Sequence, residues 1–155
     1  MSLEILRFAL DEADHAYRHR EFLAPTDPLW GIHQTVANFT AGLPLQRPAD
    51  FAAYVERVAA LPAWIDDGVA RMRQGIAEGR TPPRPIMEGV PGQVDSLLAA
   101  GGLDHLRAPL ARIPGSVAES TRAEMTRRME TELLPAVRAA LADYQRFLAE
   151  QYVPA

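Results

Sequence analysis

Cysteine is absent from this 155-residue chain, so no disulfide framework, thiolate metal site or thiol nucleophile is open to it. Lysine is absent as well. Every basic residue is arginine, which together with the abundant alanine reads as genome composition and carries no functional message. No uncharged apolar run approaches the roughly 18 residues that a membrane span needs, and the N-terminus lacks the basic-then-apolar order of a signal peptide. Charge is not dominated by one sign either: 16 basic residues stand against 20 acidic ones, interspersed along the chain for a formal net charge of -4. Such a balance gives no electrostatic footprint for nucleic acid, so neither a nucleic-acid nor a membrane partner is expected. The chain also lacks strand-type alternation of useful length, internal repeats, a serine in a nucleophile elbow and a glycine-rich phosphate loop.

What it has is helical periodicity punctuated by 13 prolines. Leu6, Leu10, Ala13 and Tyr17 share one face of a first helix over Glu4 to Phe22, with Asp11, Asp14, His15 and Arg18 opposite, the division expected of a helix packed on one side. Pro25 and Pro28 break it with turn chemistry. A short helix is expected near His33 to Thr40. Between Asp50 and Pro85, around which the rest is arranged, Phe51, Tyr54, Val55, Val58 and Leu61 mark one helix and Ile65, Val69, Met72 and Ile76 a second. Pro62 is expected to divide them, because proline cannot donate the helical hydrogen bond. Pro48 suits the first turn of the leading helix and Gly79 the cap that closes the second.

Met87, Val90, Val94 and Leu97 continue at helical spacing, interrupted near Gly89 to Gly92. Leu103 to Gly115 reads as a connector with one turn of helix. Ser116-Val117-Ala118-Glu119 has the spacing of a capping box. It opens the longest helix, whose stripe runs through Met125, Met129, Leu133, Val137, Leu141, Tyr144, Leu148 and Tyr152 and remains in phase across a kink at Pro135. A chain this long buries roughly 70% of its unfolded surface, enough for a core without staples. The expected fold is all-α, a single helical domain over residues 1–155: a bundle of five or six helices with Pro-rich connections and a long, Pro-kinked C-terminal helix. The abrupt helical start at Met1-Ser2-Leu3 and the end at Tyr152-Val153-Pro154-Ala155 suggest a segment of a larger protein.

Few residues offer chemistry. His15 and His19 are four apart, and Glu12 stands three residues before His15, a spacing used by carboxylate-bridged metal sites in helical bundles. Such sites need a second Glu-x-x-His, and none occurs. Trp30 and His33 lie in the one segment, Leu29 to Gln34, that mixes aromatic, glycine and polar side chains beyond what packing demands, and they are the candidates for contact with a substrate. His105 has no functional reading. Asp66-Asp67 and Glu130-x-Glu132 read as exposed helix charges, with Asp67 and Arg71 as an ordinary i,i+4 pair. Arg71, Arg73, Arg80 and Arg84 cluster near one helix end, where they form a solvated face or hold an anion.

Trp30-Gly31-Ile32-His33, Asp50-Phe51-x-x-Tyr54-x-x-Arg57, Gly75-Ile76-Ala77-x-Gly79-x-x-Pro82-Pro83-x-Pro85, Leu134-Pro135-Ala136 and Phe147-Leu148-x-x-Gln151-Tyr152-x-Pro154 follow one another in the order of a known family. From about Trp30 to Ala155 the chain resembles the bacterial proteins grouped as domain-of-unknown-function family 885, which in turn resemble zinc metallopeptidases of the gluzincin type, related to helical oligopeptidases and carboxypeptidases. The resemblance implies a peptide substrate and a zinc ion in a full-length relative. There a His-Glu-x-x-His helix supplies two ligands and the water-activating glutamate. This chain contains no His-Glu dipeptide, so no catalytic or metal-binding residue transfers to it and no cofactor is expected in it. Its expected role is a helical, non-catalytic portion that lines the channel or supports it, inactive alone and partnered by the remainder of its parent protein or by itself. A stand-alone helical interaction module and a bundle metalloprotein built on Glu12, His15 and His19 are the alternatives.

Overall fold

The computed structural model describes residues 2–155. Its spine is helix α3, Pro48–Ala77, on which most other elements pack. Pro48 opens it where a missing N–H costs nothing. The Asp50 carboxylate folds back to accept the backbone N–H groups of Arg47 (2.8 Å) and Gln46 (3.1 Å) and the Arg47 guanidinium (3.0 Å). Those donors, the Arg47 backbone first, hold Asp50 well below the usual carboxylate range, at about 2.

The helix does not divide at Pro62, contrary to the expectation above; it runs through as one element of 30 residues. Phe51, Tyr54, Val55, Val58 and Leu61 are buried on one side of the proline and Ile65, Gly68, Met72 and Gly75 on the other, in a single unbroken stripe. Burying that stripe outweighs the hydrogen bond that Pro62 cannot give to Val58. The helix stops at Gly79, whose φ of +66° turns the chain left-handed. Arg80 N–H then reaches the Gly75 carbonyl (2.8 Å) and Gly79 N–H the Ile76 carbonyl (3.0 Å), the paired bonds of a Schellman cap.

A second rod lies beside α3. It consists of α7 (Glu119–Arg128), a wide π-type turn (Met129–Leu133), α8 (Leu134–Phe147) and a second wide turn (Leu148–Tyr152). The predicted capping box does not form: the cap residue is Ala118, whose carbonyl takes the N–H groups of Thr121 and Arg122 while no side chain contributes. Pro135 distorts the helix without ending it. The distortion is the wide turn just ahead of it, in which Leu134 N–H reaches back to the Met129 carbonyl. Arg128 pairs with Glu56 at one end of the rod and Phe147 lies under Arg73 at the other, so α3 and the rod run side by side in the same direction. Met129, Leu133, Val137, Leu141, Tyr144, Leu148 and Tyr152 are buried, as the stripe predicted, while Met125 at its start is only partly buried against the core.

Short elements close the sides of this pair. Helix α2 (Ile32–Ala37), α4 (Arg84–Met87) and α5 (Val90–Leu98) are separate, the last two split at Gly89, and α5 packs on both α8 and α2. The stretch expected to be an irregular connector is more helical than that, with α6 (Asp104–Arg107) running into a 3-10 turn (Ala108–Arg112). Two polar side chains tie α6 down. The Tyr54 hydroxyl donates to the Leu106 carbonyl at 2.5 Å in the core, and burial pushes that phenol up to about 12. His105 sets Nε2 2.8 Å from the Val36 carbonyl and Nδ1 3.2 Å from the Gly102 carbonyl, fastening α6 to the end of α2.

Helix α1 (Leu3–Arg18) departs from expectation in another way. It has the predicted amphipathic division, yet none of its residues is buried, because no element of its own chain covers the apolar face. It is held at its C-terminal end through the turn Glu21–Leu23. No strand occurs among the described residues, and none of their helices is long and apolar enough to cross a membrane.

Candidate functional site

The segment that carries Trp30 and His33 is built from a tight turn and a buried support. Asp27 makes the turn: its Oδ1 accepts the N–H groups of Leu29 (2.6 Å) and Trp30 (2.8 Å), and its own N–H donates to the Trp30 carbonyl (2.9 Å). Gly31 follows at φ +133°. A Cβ there would stand 2.9 Å from both the Cα and the Oγ1 of Thr26, so only glycine lets the turn close. Thr26 is itself buried, and its Oγ1 accepts the Tyr144 hydroxyl at 3.0 Å, which ties the turn to α8. Desolvation raises the Tyr144 phenol, with the Thr26 bond opposing.

This geometry sends the two candidate side chains in different directions. Trp30, with Leu29 beside it, stands 75% exposed at the tip of the turn. His33, in the first turn of α2, is 2% exposed. A molecule resting on the indole would therefore not touch the imidazole without movement of the turn. Neither His33 ring nitrogen has a hydrogen-bond partner among the described residues, and the Gln93 Oε1 on α5 and the Tyr152 hydroxyl are buried unpartnered too. Left unpaired, a buried polar group of this kind costs about 1–3 kcal/mol of desolvation.

Burial lowers the His33 pKa, opposed in part by the neighbouring Gln93 carboxamide and the Asp27 carboxylate. The folded chain therefore holds His33 neutral where the unfolded chain begins to take a proton, so stability should fall as the pH drops below about 6.5 and level off beneath the folded pKa. Chemical denaturation from pH 7.5 down to pH 5 should show that slope, and His33→Phe should flatten it. A slope unchanged by the substitution would assign the effect to another group.

The other sequence candidates do not converge. His15 and His19 lie with ring centroids 4.2 Å apart and planes tilted by 46° on exposed helix surface, but no group of three or more His, Asp or Glu able to hold a metal ion occurs among the described residues, so Glu12, His15 and His19 do not make the bundle site. The four arginines also separate. Arg73 lies over the Phe147 ring at 5.0 Å, Arg80 donates to the His19 carbonyl (2.8 Å), Arg84 pairs with Glu88 (3.3 Å), and no ion pair joins Arg71 to Asp67. A groove of about 410 Å³ does form where Arg73 meets Phe147, walled by Asp66, Asp143 and Arg146, the last two paired with each other.

Over residues 1–155 the chain matches the family described as "Bacterial protein of unknown function (DUF885)". It belongs to that family. No curated protein and no solved structure matches the chain. Family membership agrees with the landmarks read from the sequence, and the structure shows what several of those landmarks do locally: Gly31 closes a turn, Asp50 caps α3, Gly79 ends it and Pro135 sets a wide turn. Sequence reading passed over the support beneath the turn. Thr26 and Tyr144 are 118 residues apart, and Gln93 sits in an ordinary helical stretch, so no local signal joined the three, although periodicity marked Tyr144 as core.

Proposed function

We propose that this chain is a helical, non-catalytic part of a zinc-dependent peptidase, a scaffold that shapes the substrate channel while another stretch of protein supplies the metal ion and the glutamate that activates water. One observation supports this most: the residues by which the chain resembles its family are mostly residues of architecture. Gly31, Asp50 and Gly79 fix backbone turns and caps. Tyr54 holds the Leu106 carbonyl, Gly75 admits a neighbouring backbone, and Phe147 and Tyr152 fill the core. A segment distinguished by such residues contributes shape, not a nucleophile or a ligand set. Within it Trp30 is the candidate channel contact, an aromatic surface presented on a turn whose backbone is fully specified, with His33 beneath it. An interaction module without chemistry is the second reading, favoured by the uncovered face of α1.

The test is enzymatic. The purified chain, assayed on a mixed peptide library with added zinc, should release no fragments above a zinc-only control. A longer polypeptide that joins it to a His-Glu-x-x-His helix should be active, and there Trp30→Ala should raise KM several-fold with the unfolding midpoint unchanged. Turnover by the chain alone would remove the proposal, and an unaltered KM would remove the role of Trp30.

A further inference from the structure

Helix α1 presents a seam that its own chain leaves open. Leu3, Leu6, Leu10, Ala13 and Tyr17 recur at alternating spacings of three and four, the a and d positions of a coiled coil. Leu3 is 76% exposed, Leu10 60% and Tyr17 73%. An isolated helix of this length is marginal in water and persists where its apolar face is packed. Contacts at its C-terminal end fix where the seam points: Leu23 is buried against α3, Arg80 donates to the His19 carbonyl, and Arg20 pairs with Glu78 at 2.8 Å.

We infer that α1 of a second copy of this chain covers the seam, the two helices antiparallel about a two-fold axis. The flanks of the seam select both the partner and its direction. Arg7 and Asp14 line one flank, at the e positions of the heptad, and Ala9 and Ala16 line the other, at the g positions. In an antiparallel pair like flanks meet, so Arg7 faces the second copy's Asp14 and Asp14 the second copy's Arg7, while the alanines let the backbones approach on the other side. In a parallel pair the charged flank would meet alanine and neither charge would gain a partner. Arg7 has no ion pair among the described residues of its own chain, whereas Asp14 already holds Arg18 at 2.6 Å. Phe8 lies off the seam and remains exposed in the pair, which makes it a control.

This inference stands apart from the peptidase reading and is tested without an activity assay. Light scattering or sedimentation equilibrium on the full chain should give the mass of two copies. Leu10→Asp should reduce it to one with the unfolding midpoint of the body unchanged, and Phe8→Ser should leave two. Arg7→Asp should raise the dissociation constant about tenfold or more, and the double exchange Arg7→Asp with Asp14→Arg should restore it. A one-copy mass for the unmodified chain would overturn the inference and assign the seam to a different polypeptide segment. So would a dimer that survives Leu10→Asp. Indifference to Arg7→Asp would overturn the antiparallel register.

Discussion

Replacing Gly75 by alanine should destabilise the chain by about 2 kcal/mol, a drop in Tm of roughly 4–8 °C for a protein of this size. Gly75 lies on the buried stripe of α3, where a Cβ would come within 2.5 Å of the Leu23 carbonyl oxygen and 3.0 Å of the Arg80 carbonyl oxygen. Both obstacles are backbone. Neither can swing aside by a rotamer change, and the Arg80 peptide belongs to the cap that ends the helix. Against this stands the better helix propensity of alanine, worth up to about 1 kcal/mol.

Gly68, two turns earlier on the same stripe, provides the comparison. A Cβ there would meet the Ile32 Cδ1 at 2.5 Å, the far end of a side chain that can rotate. Gly68→Ala should therefore change stability by less than about 1 kcal/mol. Thermal unfolding of the two variants side by side decides the matter, and equal losses would show that backbone contact is not what sets the Gly75 effect. Gly75→Ala should also loosen the Glu21–Leu23 turn, seen as faster amide exchange in α1 than in α3.

The same two glycines show where sequence reading succeeds and where it stops. Periodicity after Pro62 marks Ile65, Val69, Met72 and Ile76, yet the most buried line runs through Ile65, Gly68, Met72 and Gly75, with Val69 and Ile76 only packed against its edge. Hydrophobic periodicity ranks side chains by apolarity, so it cannot see a face chosen for the absence of a side chain. The all-α class, the cap at Gly79 and the buried stripe of the C-terminal rod are local properties of period and turn chemistry, and they were legible. Ser116 failed as a cap because the capping-box spacing is necessary without being sufficient; the chain enters the helix two residues later, at Ala118. The candidate site was legible only as an odd mixture around Trp30. Its division into an exposed indole and a buried imidazole depends on Thr26, Tyr144 and Gln93, which reach it from distant parts of the chain.

Pro62→Ala should stabilise the protein, by about 1–3 kcal/mol, in contrast to the usual effect of substitution within a well-packed element. The gain follows from α3 being continuous across the proline. A proline inside a helix removes one hydrogen bond, here the one due to the Val58 carbonyl, and presses its ring on the preceding turn, at a cost of about 3 kcal/mol relative to alanine. Were Pro62 a divider between two helices, its fixed φ would serve the break, and alanine would lengthen the first helix into space that the second needs. In the structure Leu61 and Ile65 are already in phase on the same buried stripe, so alanine finds its helical geometry in place and Val58 regains a donor. Pro62 is only partly buried, which limits the packing lost with its ring. Guanidinium denaturation should show a higher midpoint with an unchanged m-value, since the surface exposed on unfolding stays the same. A lower midpoint would mean that Pro62 itself is required to bring both halves of α3 against the parallel rod, and that the proline shapes this fold instead of being tolerated by it.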